Sequence, residues 1–486
     1  MKTDVVLNGK QGVIKETTSG LEFFNQTNER LTKSQNPNDR PKSDSVIKGA
    51  SVLAIGGLLS KFLGALYRIP LTTLLGAEGL AVYQTVFPIY CILLTFSSTG
   101  VPTAIAKLIA SGYGERVVLK KALSVFVPLG FLGSFLMVLL SFPLSSLQGN
   151  AMATLAYVAL APSVVAVSVI SCIRGYFQGR MNMIPTATSQ IAEQFIKLTV
   201  GLSLCFFIKG SPSILGAIAC LAVTFSEIVT LIYLWILLKK ANSPRISTYF
   251  LSFKRLIGTL FPIILSTLLL PISRAFDSFS IVNILNDYTP HAKSLYGIYT
   301  GSVESVSGVP VAICYGIAVA VLPSIAKSFT SNDYKSVWQN FKKSFSLTLF
   351  SSTLLGLGLF IFAPIITRIL FGNLSVYYKS VTAELIAISF FSVIGLSLLQ
   401  TLNSCMVAIG KPYAPCIFLA IGLLVKFLLQ INLLKLPSIN IFGGVYSDIA
   451  CYFVAVFLDL LYIITILKSK RVKTDENNFN WRRSRI

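Results

Sequence analysis

Beyond residue 48 the chain is a succession of apolar runs, most of about 20 residues or more, separated by short polar connections. Runs of that length match the roughly 30 Å hydrocarbon thickness of a bilayer. Strand-type alternation over about ten residues, the mark of an outer-membrane barrel, is absent. The pattern predicts an all-α polytopic membrane protein with twelve spans. They lie near 49–75, 81–110, 121–142, 151–173, 186–208, 213–238, 257–282, 296–325, 344–370, 380–402, 413–436 and 441–467. Short connections make consecutive helices antiparallel neighbours. Residues 1–47 are polar, rich in Asn, Lys, Ser and Thr, and predict a disordered cytoplasmic tail. The expected division is that tail, a six-helix lobe over 48–240, a second over 241–468 and a basic cytoplasmic tail over 469–486.

Composition supports the membrane class: 54% of the 486 residues are hydrophobic and 12% charged. A soluble protein carries about twice that charged fraction. The net charge of +22 does not point to nucleic acid, because the cations sit in loops and tails beside the spans. Topology and anionic membrane lipids both call for that placement. One side's connections hold Lys107, Arg116, Lys120, Lys121, Arg174, Arg180, Lys239, Lys240 and more; the other side's hold only Lys209, Lys293, Arg368, Lys379 and Lys435. Both termini are therefore expected in the cytoplasm, with the chain in the cytoplasmic membrane. The eight cysteines show no CxxC spacing and read as small core residues.

The two halves resemble each other in a common order. Val82-Tyr83 opens the second span and Leu295-Tyr296 the eighth; Ile105-Ala106-Lys107 and Ile325-Ala326-Lys327 end them. Pro212-Ser213-Ile214 precedes the sixth span and Pro437-Ser438-Ile439 the twelfth, and Lys197 in the fifth matches Lys426 in the eleventh. Two repeats of six spans start on the same side, which predicts parallel lobes with a site between them at mid-depth.

Charges inside the spans are the candidate chemistry, since a cation near the bilayer centre costs about 2.5–3.5 kcal/mol on insertion scales. Lys61 and Arg68, seven apart on one helix face, either line a polar cavity or snorkel to opposite interfaces. Arg274 and Asp277, i,i+3 in the seventh span, form either a local ion pair or a substrate-binding cation with its counter-ion; Asp277 is also the candidate ligand for a coupling ion. Glu193 and Lys197 stand i,i+4, the favourable order for a self-neutralised helix pair. Lys426 lacks a partner at helical spacing in its own span, so it faces the cavity or pairs across helices. Glu304 and Glu227 are the candidate partners for these cations.

Other chemistry finds little support. A single histidine, His291, lies in a connection, so no metal site is argued. There is no Walker-type glycine loop and no nucleophile–base constellation, which argues against ATP hydrolysis and against an enzyme. Pro88, Pro102, Pro128, Pro262, Pro271, Pro310 and Pro364 permit kinks within spans.

The segment LLGAEGLAVYQTVFPIYCILLTFSSTGVPTAIAKLIA at 74–110 resembles polysaccharide-biosynthesis membrane proteins of the stage V sporulation protein B type. Residues 172–198, 295–328 and 408–417 are similar to the same family. These proteins belong to the multidrug/oligosaccharidyl-lipid/polysaccharide exporter superfamily, which also holds the MurJ-type lipid II flippases. The resemblance implies two six-helix lobes around a V-shaped cavity and alternating access without ATP. The implied substrate is an undecaprenyl-pyrophosphate-linked saccharide held by cavity arginines. Arg68 sits where a first-span cation is expected, and Arg274 is the second-lobe candidate. Two departures stand out. Many relatives have fourteen spans, and MurJ-type sodium sites draw acidic or amide ligands from the seventh and eleventh spans. Here the eleventh offers Lys426 and Gln430.

The expected function is flipping of a lipid-linked peptidoglycan or polysaccharide precursor, with no cofactor and with Na+, H+ or the membrane potential as the candidate drive. The substrate site would draw on Lys61, Arg68, Glu193, Lys197, Arg274, Asp277, Glu304 and Lys426. Two alternatives are a cation-coupled multidrug antiporter of the same fold and a non-transporting scaffold that binds cell-wall or spore-cortex synthesis proteins. An excess of cations over anions at depth favours an anionic substrate over a cationic drug.

Overall fold

A computed structural model of the chain describes residues 43–98, 100–110, 112–241, 253–411 and 413–483. No strand occurs among them. The first half comprises α1 (Ser43–Ser98), α2 (Gly100–Ala110), α3 (Glu115–Leu139), α4 (Ser141–Leu147), α5 (Thr154–Gly179), α6 (Ile184–Phe207) and α7 (Pro212–Lys240). The second comprises α8 (Phe253–Leu285), α9 (Ala292–Gly297), a π-helical turn (Ile298–Val303), α10 (Glu304–Thr330), α11 (Tyr334–Leu370), α12 (Val376–Ala408), α13 (Tyr413–Leu434) and α14 (Phe442–Arg483). Most of the tail expected over 1–47 lies outside the described residues, but α1 already begins at Ser43. At the other end α14 continues through the basic residues to Arg483.

Every expected span falls on a helix. Nine segments among the described residues are long and apolar enough to cross a membrane, and one of them, 55–110, covers most of the first expected span and all of the second. The fifth and eighth are not among the nine. The fifth carries Gln190, Glu193, Gln194 and Lys197 within two turns, and the eighth is divided by the π turn.

The turn expected at LGAEG reduces to a single residue. Gly76 has φ 66° and ψ −179°, a region open to glycine and closed to side chains with a Cβ. Before it, Gly56, Gly64 and Tyr67 pack in step against Ala187, Gln194 and Gly201 of α6. After it, Gly79 and Val82 meet Pro212 and Gly216 of α7, and Tyr90 meets Glu227. The Thr188–Tyr233 hydrogen bond joins the start of α6 to the end of α7, so those helices are antiparallel. α1 therefore folds back on itself at Gly76.

The same pairing recurs in the second half. Lys426 and Gln430 of α13 bond in step to Asp277 and Ser280 of α8, and Tyr299 of the π turn meets Gly444 and Asp448 of α14. First with fifth and second with sixth is thus the packing rule in both halves.

Polar and apolar side chains are placed as a bilayer requires. Phe131, Leu132 and Phe135 on α3 and Phe350, Phe360 and Ile361 on α11 are exposed. Buried Thr85, Ser163, Ser168 and Ser171 return their hydroxyls to carbonyls three or four residues back. The glycines let the halves touch: a Cβ at Gly297 would fall 2.6 Å from Ala81 N.

Candidate functional site

Two adjoining cavities lie where the halves meet. One, of about 350 Å³ including open space, is lined by Arg68, Gln84, Phe87, Arg274, Tyr296 and Glu304 among others. The second, of about 1200 Å³ including open space, extends into the second half past Tyr299, Gln400, Lys426, Asp448 and Tyr452. Cys91, Arg274, Asp277 and Glu304 line both. The break at Gly76 turns the second arm of α1 so that Gln84, Phe87 and Cys91 reach the cavity. The π turn does the same for Thr300, whose carbonyl accepts from Gln84 Nε2 at 2.9 Å.

Arg68, Arg274, Asp277, Glu304 and Lys426 line this space. The side chain of Lys61 lies outside the described residues. Glu193 and Lys197 line neither cavity. Among the described residues no group of three or more His, Cys, Asp or Glu is placed to hold a metal.

The charges do not pair as helical spacing predicts. Glu193 bonds Arg174 of α5 at 3.0 Å, not Lys197. Lys197 instead places its ammonium 5.5 Å from the centroid of the Tyr67 ring. The i,i+3 pair of Arg274 and Asp277 is also absent. Arg274 lies 3.3 Å from Glu304 and is half exposed to the cavity, while Asp277 lies 2.7 Å from Lys426. In the second half a local Arg274–Asp277 pair would leave Glu304 without its cation and take Asp277 from the buried Lys426. In the first half Arg174 takes Glu193, and Lys197 is left to the Tyr67 ring.

Lys426 is the most enclosed cation among the described residues, with its side chain 2% exposed. It contacts Asp277 Oδ2 at 2.7 Å, Asp448 Oδ1 at 2.7 Å and Ser273 Oγ at 2.8 Å. The Tyr299 hydroxyl donates to the other oxygen of Asp448. Asp448 is absent from the sequence-based candidates. The sign of it was an aspartate inside the last apolar run, 22 residues beyond a lysine with no partner in its own helix.

Two first-half cations, Arg68 and Lys197, are placed differently. No carboxylate lies within 4.0 Å of Arg68 or Lys197 among the described residues, and the Arg68 guanidinium sits 5.7 Å from the Phe87 ring centroid. Glu227, buried in the same half, accepts from the Tyr90 hydroxyl at 2.8 Å. The cavity thus offers an uncompensated arginine from one half and a half-exposed arginine from the other.

Comparison with known proteins agrees with this architecture. The family model for polysaccharide biosynthesis proteins matches residues 46–329. The chain is 26% identical to stage V sporulation protein B of Bacillus subtilis (strain 168) over 443 residues, covering 87% of this chain and 83% of that one. It is also 26% identical to the lipid II flippase MurJ of the same organism over 454 residues, with the same coverage. Among solved structures, it superposes on an inward-facing multidrug resistance MATE family transporter of the MOP superfamily. The TM-score is 0.73 at 14% identity, over 85% of this chain and 95% of that one. For an outward-facing conformation the TM-score is 0.63 at 13% identity, over 87% and 96%. The chain is a multi-pass helical membrane protein, shares its fold with transporters of the MATE type, and belongs to the polysaccharide biosynthesis protein family.

Proposed function

We propose that this protein flips an undecaprenyl-pyrophosphate-linked saccharide, a peptidoglycan or related polysaccharide precursor, across the cytoplasmic membrane by alternating access. Its two six-helix lobes, over 48–240 and 241–468, rock about the shared cavity with both termini in the cytoplasm. The observation that carries the proposal is Arg68, an arginine without an acidic partner among the described residues that lines the same cavity as Arg274. A pyrophosphate–sugar head group cannot enter about 30 Å of hydrocarbon unaided. Guanidinium groups substitute for its hydration and bind phosphate bidentately, while the prenyl chain stays in lipid. The similarity to a lipid II flippase supports the same substrate class.

A cationic-drug antiporter needs an uncompensated acid in the cavity. Glu304 is paired with Arg274, and Asp277 and Asp448 share Lys426, so each acid lining the cavity already faces a cation, which disfavours it. The test is translocation of labelled lipid II by purified protein in vesicles. Wild-type protein is expected to flip it, and Arg68→Ala to slow flipping at least tenfold. Unchanged flipping by correctly inserted Arg68→Ala protein would remove the central claim.

A further inference from the structure

The Lys426 ammonium ends in a nest of oxygens. Its three N–H groups point at Ser273 Oγ at 2.8 Å, Asp277 Oδ2 at 2.7 Å and Asp448 Oδ1 at 2.7 Å. That uses every donor an ammonium has. The Asp277 side chain is 3% exposed, and its second oxygen has no hydrogen-bond partner among the described residues. Two carboxylates facing one cation leave the cluster with an excess of negative charge. The oxygens come from α8 and α14 and the ammonium from α13, so one cation ties three helices together.

Converging oxygens, burial and excess negative charge are what a dehydrated monovalent cation requires. We propose that Ser273, Asp277 and Asp448 form a monovalent-cation site whose occupant is the chain's own Lys426 ammonium. The movement of α8, α13 and α14 then needs no free alkali-metal ion. A tethered cation cannot dissociate down a gradient, so this seat supplies no differential ion binding with which to bias two states. Shortening residue 426 empties the seat and leaves two buried carboxylates that an entering ion must compensate.

The test uses the full-length purified protein in detergent, melted in NaCl, KCl or N-methylglucamine chloride at equal ionic strength. Its readout involves no substrate, so it stands or falls separately from the flippase reading. Wild-type protein is expected to melt at one temperature in all three salts. Lys426→Ala is expected to melt lower in N-methylglucamine chloride and to rise saturably, by roughly 3 °C or more, in NaCl or KCl. Adding Asp448→Asn should abolish the rise. A saturable Na+ or K+ shift in the wild type overturns the proposal, as does a folded Lys426→Ala protein that melts identically in the three salts. If Lys426→Ala yields no folded protein, Lys426→Ser, which adds an oxygen to the seat, takes its place. Failure to recover either variant in NaCl or KCl also counts against the proposal, because a cation site is stabilised by its cation.

Discussion

The cations that line or flank the cavity meet different partners in the two halves. In the second half Lys426 is held by two aspartates and Arg274 by Glu304, whereas in the first half Arg68 and Lys197 meet only aromatic rings. A guanidinium facing a cavity without an acid is available to an external anion; one already paired must give up that partner first. Arg68→Ala is therefore expected to weaken precursor binding more than Arg274→Ala does, measured as the shift in half-saturating lipid II concentration in vesicles. The reverse order would place the anion on the second half. Lys426 should matter more for folding. Removing it as Lys426→Met strands two buried carboxylates and is expected to cost about 3–5 kcal/mol. Neutralising one of them as well, as Asp277→Asn, should recover part of that loss, read as melting temperatures of both variants.

At the scale of elements, the organising device is the fold-back of α1 at Gly76. The backbone there is one that only glycine adopts without strain, so Gly76→Ala is expected to cost about 1–3 kcal/mol. A melting temperature unchanged from wild type would show that the break does not depend on that residue. The crossing of α1 with α9 and the π turn is as demanding, since Gly297 and Gly301 pack against Ala81 and Leu80 with no room for a Cβ. Gly297→Val should force the helices apart and, by moving Tyr296 and Thr300, disturb the cavity as well as the fold. These contacts stand next to the positions that the sequence marked as matched in the two halves, Val82-Tyr83 and Leu295-Tyr296.

At the scale of the whole molecule, hydrogen bonds between the halves gather where odd-numbered spans end and even-numbered ones begin. Thr73 Oγ1 bonds Leu370 O, Gln148 Nε2 bonds Ser278 Oγ at 2.8 Å, and Asn283 Nδ2 bonds Leu147 O at 2.7 Å. Gln84 and Tyr296 exchange with the facing backbone at the same level. If alternating access is the mechanism, this seam must open in each cycle. Cross-linking Leu147→Cys to Asn283→Cys is then expected to stop flipping and reduction to restore it. Full activity of the cross-linked protein would rule out opening at this end.

The sequence by itself determined the spans, the family likeness and the residues whose charge needed explaining. Hydropathy and turn signals are sums over neighbouring residues, so the chain carries them whatever it packs against. It also carried the repeat, because Lys197 and Lys426 and the paired prolines keep one order. Only the tertiary structure decided which charges meet. The i,i+3 and i,i+4 pairs expected within helices gave way to Arg174 with Glu193, Arg274 with Glu304, and Lys426 with Asp277 and Asp448. Those partners lie up to 149 residues apart. The reason is physical: a buried charge takes the partner that the rotation and depth of facing helices bring within 3 Å or so, and no local spacing encodes that choice.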